Sequence, residues 1–523
     1  MARARVYGIE LPLGKSSSED LKGVLSHEFG VRPDRIEGLT VVRKSLDARK
    51  GRRAPTWIFT LDVDLLEEPR RVPKGIRLAP VPERAAALPP PLKDLEGLKA
   101  VVVGTGPAGL FAALGLWGRG AEVSVLEQGP PLEERVAAVR DLWREGRLTP
   151  EANVQFGEGG AGTFSDGKLT TRVRDPFVQP VLSTFVRCGA PDSILEDAHP
   201  HLGTDGVRDV VRNLRSRLEA EGARFFFREK VVDVHSKGSG FEVEAASGRI
   251  GADALFIAAG HSSRSLFRKL KALGVSFKAK GFAVGVRAEH PQAWVNERQY
   301  GRYAGHPDLP AAEYFLTYHD APTGRGVYSF CMCPGGLVVN SSSEPHTLVT
   351  NGMSLSHRAS GFANAGIVVT LLPQDFESDG WLGLAFQEGL ERKGYEAGGG
   401  NYFAPAQSIA GFLEGRPDET VPRSTFRPGA RPANLKEFFP PWIEEPLARG
   451  LRHFDRLMPG FIERGVLLAP ETRTSNPLQV VRSEDGSAQG FPGLFLLGEC
   501  AGWAGGIVSS AVDALKCVQA FRR

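Results

Sequence analysis

The chain has 523 residues, 41% of them hydrophobic and 24% charged, the balance of an ordinary globular protein with room for two or three domains. With 64 basic and 61 acidic residues the formal net charge is only +3, which gives no reason to expect a polyanionic partner. No uncharged apolar stretch reaches membrane-spanning length, no apolar leader is visible, and five scattered cysteines form no disulfide framework, so the expectation is a cytoplasmic protein in a reducing compartment.

Arg3–Leu13 reads as a strand, Ser16–Ser18 as the cap of a helix running to Phe29, and Leu39–Arg43 and Trp57–Val63 as two more strands. This βαββ order predicts a small α+β domain over residues 1–78. The stretch Arg43–Arg53, rich in Arg and Lys, fits a solvated hairpin loop, an RNA-binding patch or a docking surface for the next domain. A Pro/Ala-rich linker follows over residues 79–97.

Residues 99–127 form the most informative segment. Lys99–Val103 is a buried strand by its unbroken apolar run. Gly104, Gly106 and Gly109 make GxGxxG, followed by Pro107, Ala108 and a helix to about Trp117. The three glycines serve a tight turn, close approach of a pyrophosphate and close helix–strand packing, and the helix start favours an anion. A second strand from Glu122 ends in Glu127, which lies 18 residues past Gly109 and is followed by Gln128. An acid there can hold an adenosine ribose. Strand, glycine turn, helix, strand and acid in this order predict a dinucleotide site.

Three further stretches favour FAD over NAD. Gly157–Arg172, with Gly159, Gly160, Ala161, Gly162 and Lys168, is a loop whose backbone N–H groups suit phosphate and ribityl oxygens. Gly251–Ser263 is an apolar strand running into Ala258, Ala259, Gly260 and His261. Gly493–Cys517 reads as strand Leu494–Leu497, then Gly498 and Glu499, a loop through Gly505, and a helix starting near Gly506, Ile507 and Val508. A helix start beside the flavin would stabilise negative charge on the reduced ring.

GxGxxG with Glu127, AAG at 258–260 and GE at 498–499 resemble the FAD-binding set of the two-dinucleotide-binding-domain flavoprotein superfamily, which commonly has ATG and GD at the last two places. More narrowly, SLDARK (45–50), GEGGAGTFSDGKL (157–169), GVYSFCMCPGG (326–336) and ETRTSNP (471–477) resemble a family of FAD-dependent, or NAD(FAD)-utilising, dehydrogenases. The resemblance implies an α/β fold: a Rossmann-like FAD-binding domain, glutathione-reductase-like, with an inserted mostly antiparallel β substrate domain. It also implies that the backbone near Val231 or Val232 reads the adenine. The expected layout is FAD-binding domain over 98–277, substrate domain over 278–480, and the returning part of the FAD-binding domain over 481–523. In the middle, short strands are expected to residue 375 and mainly helices over 376–470.

There is no second GxGxxG and no CxxC. A separate nicotinamide domain and disulfide chemistry of the glutathione-reductase kind are therefore not expected, and NADH or NADPH would have to visit the flavin directly as a transient electron donor. Cys331 and Cys333 alternate on an expected strand, so both face one side, as small buried hydrophobes or as a redox pair. No metal-ligand set is recognisable. Lys168, Arg287 and Arg473 are candidate cations for an anionic substrate or the reduced ring, and His261 a candidate proton shuttle. The reading is a FAD-dependent oxidoreductase with non-covalent FAD and a small organic substrate. The alternatives are an RNA-associated flavoprotein and a FAD-holding sensor without turnover.

Overall fold

The computed structural model describes residues 2–49, 54–82 and 92–522. The basic residues 50–53 of the hairpin stretch lie outside the described residues.

The N-terminal domain is a four-stranded antiparallel sheet with one helix against it. The sheet order is Ile36–Asp47, Thr56–Leu65, Ala2–Pro12, Arg77–Pro80. The helix Ser18–Phe29 starts at Ser17, whose Oγ accepts from the Asp20 N–H at 3.1 Å while Asp20 accepts from the Ser17 N–H at 3.1 Å. It buries Leu21, Leu25 and Phe29 against Val6, Ile9, Leu61 and Val63 of the sheet. The fourth strand, Arg77–Pro80, was not expected and takes in the first residues assigned to the linker. Four residues are too few to show a period of two. The domain docks through the hairpin stretch: the Lys44 N–H donates to the Glu196 carbonyl at 2.7 Å, and the Ala198 N–H donates to the Lys44 carbonyl at 2.8 Å.

The nucleotide half is built on a five-stranded parallel sheet, ordered Leu494–Leu496, Ala254–Ile257, Lys99–Val103, Glu122–Glu127, Arg224–Phe227. Its strands are nearly continuous apolar runs because both faces are covered. Helices Pro107–Gly118 and Ile507–Ala520 pack side by side on one face, with Gly115 under Val518 and Leu515. The apolar run Ala223–Val234, which reads as one strand, is divided in two: Arg224–Phe227 belongs to the parallel sheet and Asp233–Lys237 opens a three-stranded antiparallel crossover. Arg228, at φ 62°, turns the chain between them.

The second half is a seven-stranded sheet ordered Thr317–Asp320, Arg325–Cys333, Phe362–Leu371, Phe282–Pro291, Val466–Glu471, Ala404–Ser408, Ala430–Pro432. All neighbours are antiparallel except the last pair. Helices Gly380–Ala397 and Pro441–Leu457 lie over it, as expected. Val466–Glu471 corrects the helical reading of 376–470: it is a central strand, whose short apolar run has no period to separate strand from helix. An antiparallel pair, Phe277–Ala279 with Leu478–Val480, ties the two halves where the chain crosses between them.

Candidate functional site

At the carboxyl ends of the parallel strands, where open α/β sheets place ligands, the glycine turn is fixed by contacts that exclude side chains. Gly104 has φ 101°, and a Cβ on it would lie 2.6 Å from the Ala258 carbonyl oxygen. A Cβ on Gly109 would collide with the Gly104 carbonyl. Gly106 caps helix Pro107–Gly118 with no side-chain acceptor, so the first helical N–H groups are left for a ligand. Gly160 faces it across the turn, and a Cβ there would lie 3.1 Å from the Gly106 Cα.

Glu127 braces this turn. Its Oε2 accepts from the Thr105 N–H at 3.1 Å and from Thr105 Oγ1 at 2.6 Å, and its Oε1 from the N–H groups of Gly129 at 2.9 Å and Gly157 at 3.1 Å. Protein donors thus occupy all four acceptor directions of the carboxylate. Thr105 Oγ1 also accepts from the Gly159 N–H at 3.2 Å, which ties the turn to the glycine-rich loop.

Arg135 holds that loop from behind. It is fully buried and donates to the carbonyls of Asn153, Val154, Glu158 and Gly160 and to Thr163 Oγ1 at 2.6–2.9 Å. No sequence signal marked Arg135, because LEERVAAVRDLW reads as a charged helix face. The nearest hint was the carbonyl-rich loop itself, which needs donors when buried.

The cavity at this place has a volume of about 780 Å³ and runs from the glycine turn to the second half of the molecule. That size lies within the roughly 300–1,000 Å³ of small-molecule and cofactor sites. Its floor is formed by Gly104, Gly106, Pro107, Ala108, Glu127 and Gln128. Gly160, Ala161, Gly162 and Lys168 line one side, and Ala259, Gly260 and His261 another. Glu499, Gly505, Gly506 and Ile507 also line the cavity, as do Arg473, Lys280 and Cys331.

Several expected residues stand behind this surface. Gly109, Gly159 and Gly498 support it, Gly498 at φ 59° with Ser510 and Ala108 against its Cβ position. Val508 is buried beneath Ile507 in the helix. Val232 does not line the cavity: its N–H is already given to the Glu244 carbonyl at 2.8 Å, and Val231 faces the cavity instead. Arg287 is also corrected. It is fully buried behind the wall, bound to Glu471 Oε1 at 3.1 Å, Asn364 Oδ1 at 2.9 Å and the Cys331 carbonyl at 2.9 Å, and cannot reach a substrate.

Arg473 reaches the cavity but is held by Glu391, Ser262 and Ser343. Arg264 binds the same Glu391 from the other side, Nη1 and Nη2 each at 2.8 Å. Burial alone would raise the Glu391 carboxyl, but Arg473 and Arg264 hold it far below the usual range. Burial, then the charges of Arg473 and Arg264, pushes His261 down to about 3, so its ring is neutral at ordinary pH. This removes the cationic proton shuttle expected of it. Burial raises the Glu499 carboxyl, against Lys280 and the Asn476 N–H, which donates to Oε1 at 2.7 Å. Lys168, although burial opposes its charge, is kept above the ordinary lysine range by Glu313 and the two thiols Cys331 and Cys333.

These residues fit FAD. The glycine cradle leaves room that a Cβ would fill, and the starts of two adjacent helices, at Gly106 and Gly506, both line the cavity. His261 Nε2 is buried without a hydrogen-bond partner. The expected absence of a metal set concerns the same walls, and among the described residues no group of three His, Cys, Asp or Glu side chains is placed to hold one. Nor is any helix among them long and apolar enough to cross a membrane.

Fold and site together define a FAD-dependent protein of the Rossmann-like class. The family model described as FAD-dependent protein, C-terminal domain-like, matches residues 281–474, and a model for a domain of unknown function matches residues 4–64. An uncharacterized protein of Clostridium beijerinckii (strain ATCC 51743 / NCIMB 8052) is 38% identical over 531 residues, covering 98% of both chains. The chain belongs to the same family as that protein. Among solved structures, glycine oxidase from Geobacillus kaustophilus is similar at 12% identity over 82% of this chain and 95% of its own, with a TM-score of 0.35. CtdE in complex with FAD is similar at 11% identity over 80% of this chain and 82% of its own, with a TM-score of 0.32.

Proposed function

We propose that the protein is an oxidoreductase that binds FAD non-covalently and moves a hydride or an electron pair between it and a small organic substrate, with NADH or NADPH as a transient donor. The observation that carries this reading is one continuous cavity that joins the uncapped helix start at Gly106 to the helix start at Gly506. FAD, when bound, supplies a reversible two-electron acceptor.

The residues then divide the work. Gly106, Gly160 and the first turn after Pro107 hold the diphosphate through backbone N–H groups. Gly506 and Ile507 present a positive helix end to the ring system. Val231 borders the adenine end. Lys168 and Arg473 give the cavity a positive wall that favours a carboxylate or phosphate on the substrate. His261 is a neutral hydrogen-bonding group there.

Anaerobic stopped-flow of the flavin-loaded protein with NADH and with NADPH tests the reading. Rapid bleaching by one of them, followed by reoxidation with a metabolite panel, is the expected outcome. Purified protein that is colourless and takes up no added FAD would refute it.

A further inference from the structure

Cys331 does not sit as a regular strand residue. The strand Arg325–Cys333 slips register against Phe362–Leu371 between Phe330 and Cys333, and Cys331 lies in this bulge at φ 45°. The bulge turns Cys331 to the cavity surface, while Cys333 is fully buried beside it. The Cys333 thiol donates to the Cys331 carbonyl at 3.3 Å, so its sulfur lies against the bulge.

Two cations, the buried Arg287 and the half-buried Lys168, clamp this short segment. Arg287 Nη2 donates to the Cys331 carbonyl at 2.9 Å and lies 3.5 Å from the Cys333 sulfur. Lys168 Nζ donates to the Met332 carbonyl. Arg287, also paired with Glu471, and Lys168 thus flank two thiols at the wall of a cofactor cavity. Positive charge next to a thiol favours the thiolate, the reactive form. Cys331 is accordingly lowered below the ordinary thiol range by its bond with Cys333 and by Lys168 and Arg287, against burial. The other three cysteines are buried, and none of them lines the cavity.

We infer that Cys331 and Cys333 are a redox-active dithiol that exchanges an electron pair with the flavin. The inference rests on the FAD reading above. In the oxidising direction both S–H bonds break and one S–S bond forms between the two sulfurs. The electron pair and two protons pass to the oxidised flavin. The reverse step returns them and opens the disulfide.

Anaerobic dithionite titration of the air-oxidised, flavin-loaded protein tests this. Four electron equivalents per FAD are expected for the wild type, and two for Cys331→Ser and for Cys333→Ser. A measurement free of variants accompanies it: acid quench, denaturation, alkylation and mass spectrometry of the peptide spanning 331–333. After oxidation that peptide should be unalkylated and lighter by two hydrogens than its reduced form. Two electron equivalents in the wild type, with both thiols alkylated after oxidation, would overturn the inference. Protein that binds no flavin overturns the cofactor reading; the dithiol is then read by alkylation after diamide, and free thiols at both positions overturn it as well.

Discussion

Arg473 grips Glu391 with two parallel hydrogen bonds, Nε to Oε1 at 3.0 Å and Nη2 to Oε2 at 2.8 Å. The pair is fully enclosed, and Arg264 closes it from the nucleotide half. A cavity-wall cation is thereby fixed in place, and the two halves of the molecule share one buried charge cluster.

Removing the shared anion leaves Arg473 with only the hydroxyls of Ser262 and Ser343, and Arg264 with the half-buried Glu344 as its near carboxylate. Glu391→Gln should destabilise the protein by about 3–5 kcal/mol, the cost of breaking a buried ion pair. Urea unfolding at neutral pH measures it. The folded carboxyl titrates below its ordinary value of 4.5. Its contribution is therefore whole above that pH and is lost as the pH falls below it. The difference between wild type and Glu391→Gln should shrink progressively as the pH falls below 4.5. A difference that stays constant over that fall would show that Glu391 is not held as a carboxylate.

The glycines of the turn should separate fold from ligand. A Cβ at Gly109 meets backbone that cannot move away, so Gly109→Ala should lower thermal stability whether or not flavin is present. A Cβ at Gly106 meets only the Gly160 Cα, at an ordinary 3.9 Å. Gly106→Ala should fold normally yet weaken FAD binding tenfold or more, about 1.4 kcal/mol, by filling the place of the diphosphate. Fluorescence titration of the apoprotein with FAD checks this, and unchanged affinity would move the diphosphate elsewhere.

Thr105 links Glu127 to the glycine-rich loop through one hydroxyl. Thr105→Val keeps the shape and leaves one acceptor and one N–H unsatisfied, which costs about 1–3 kcal/mol. Chemical denaturation of the apoprotein should show this loss before any flavin is added.

His261 should be silent between pH 5 and 8. Its folded value of about 3 lies below the ordinary 6.5, so it is neutral throughout that window. The visible spectra of flavin-loaded wild type and His261→Gln should follow the same pH course. A transition near pH 6 to 7 in the wild type alone would show that the ring does charge.

The nucleotide half was legible because its signals are local. Lys99–Val103, the three glycines and Glu127 lie within thirty residues, and each carries its own steric or electrostatic reason. The Glu391 cluster was illegible because Arg264, Glu391 and Arg473 meet only in three dimensions: Arg473 reads as a substrate cation, and Arg264 and Glu391 carry no motif of their own. Arg287 was assigned to the substrate side because its surroundings were read as family-like; burial in the middle of Phe282–Pro291 pairs it with Glu471 instead. The bulge at Cys331 was hidden for a different reason. A period of two assigns a residue to a face only while register holds, and one extra residue reverses it.

The parallel sheet is closed at one edge by Leu494–Leu496, and helix Pro107–Gly118 is covered by Ile507–Ala520. During synthesis, then, the first nucleotide-binding unit is made early but waits for residues 494–520 before its apolar helix is covered by its main helical neighbour. A nascent chain stalled short of residue 494 would expose that helix to solvent and to chaperones. The vulnerability of the newborn molecule is greatest in the segment whose sequence is easiest to read.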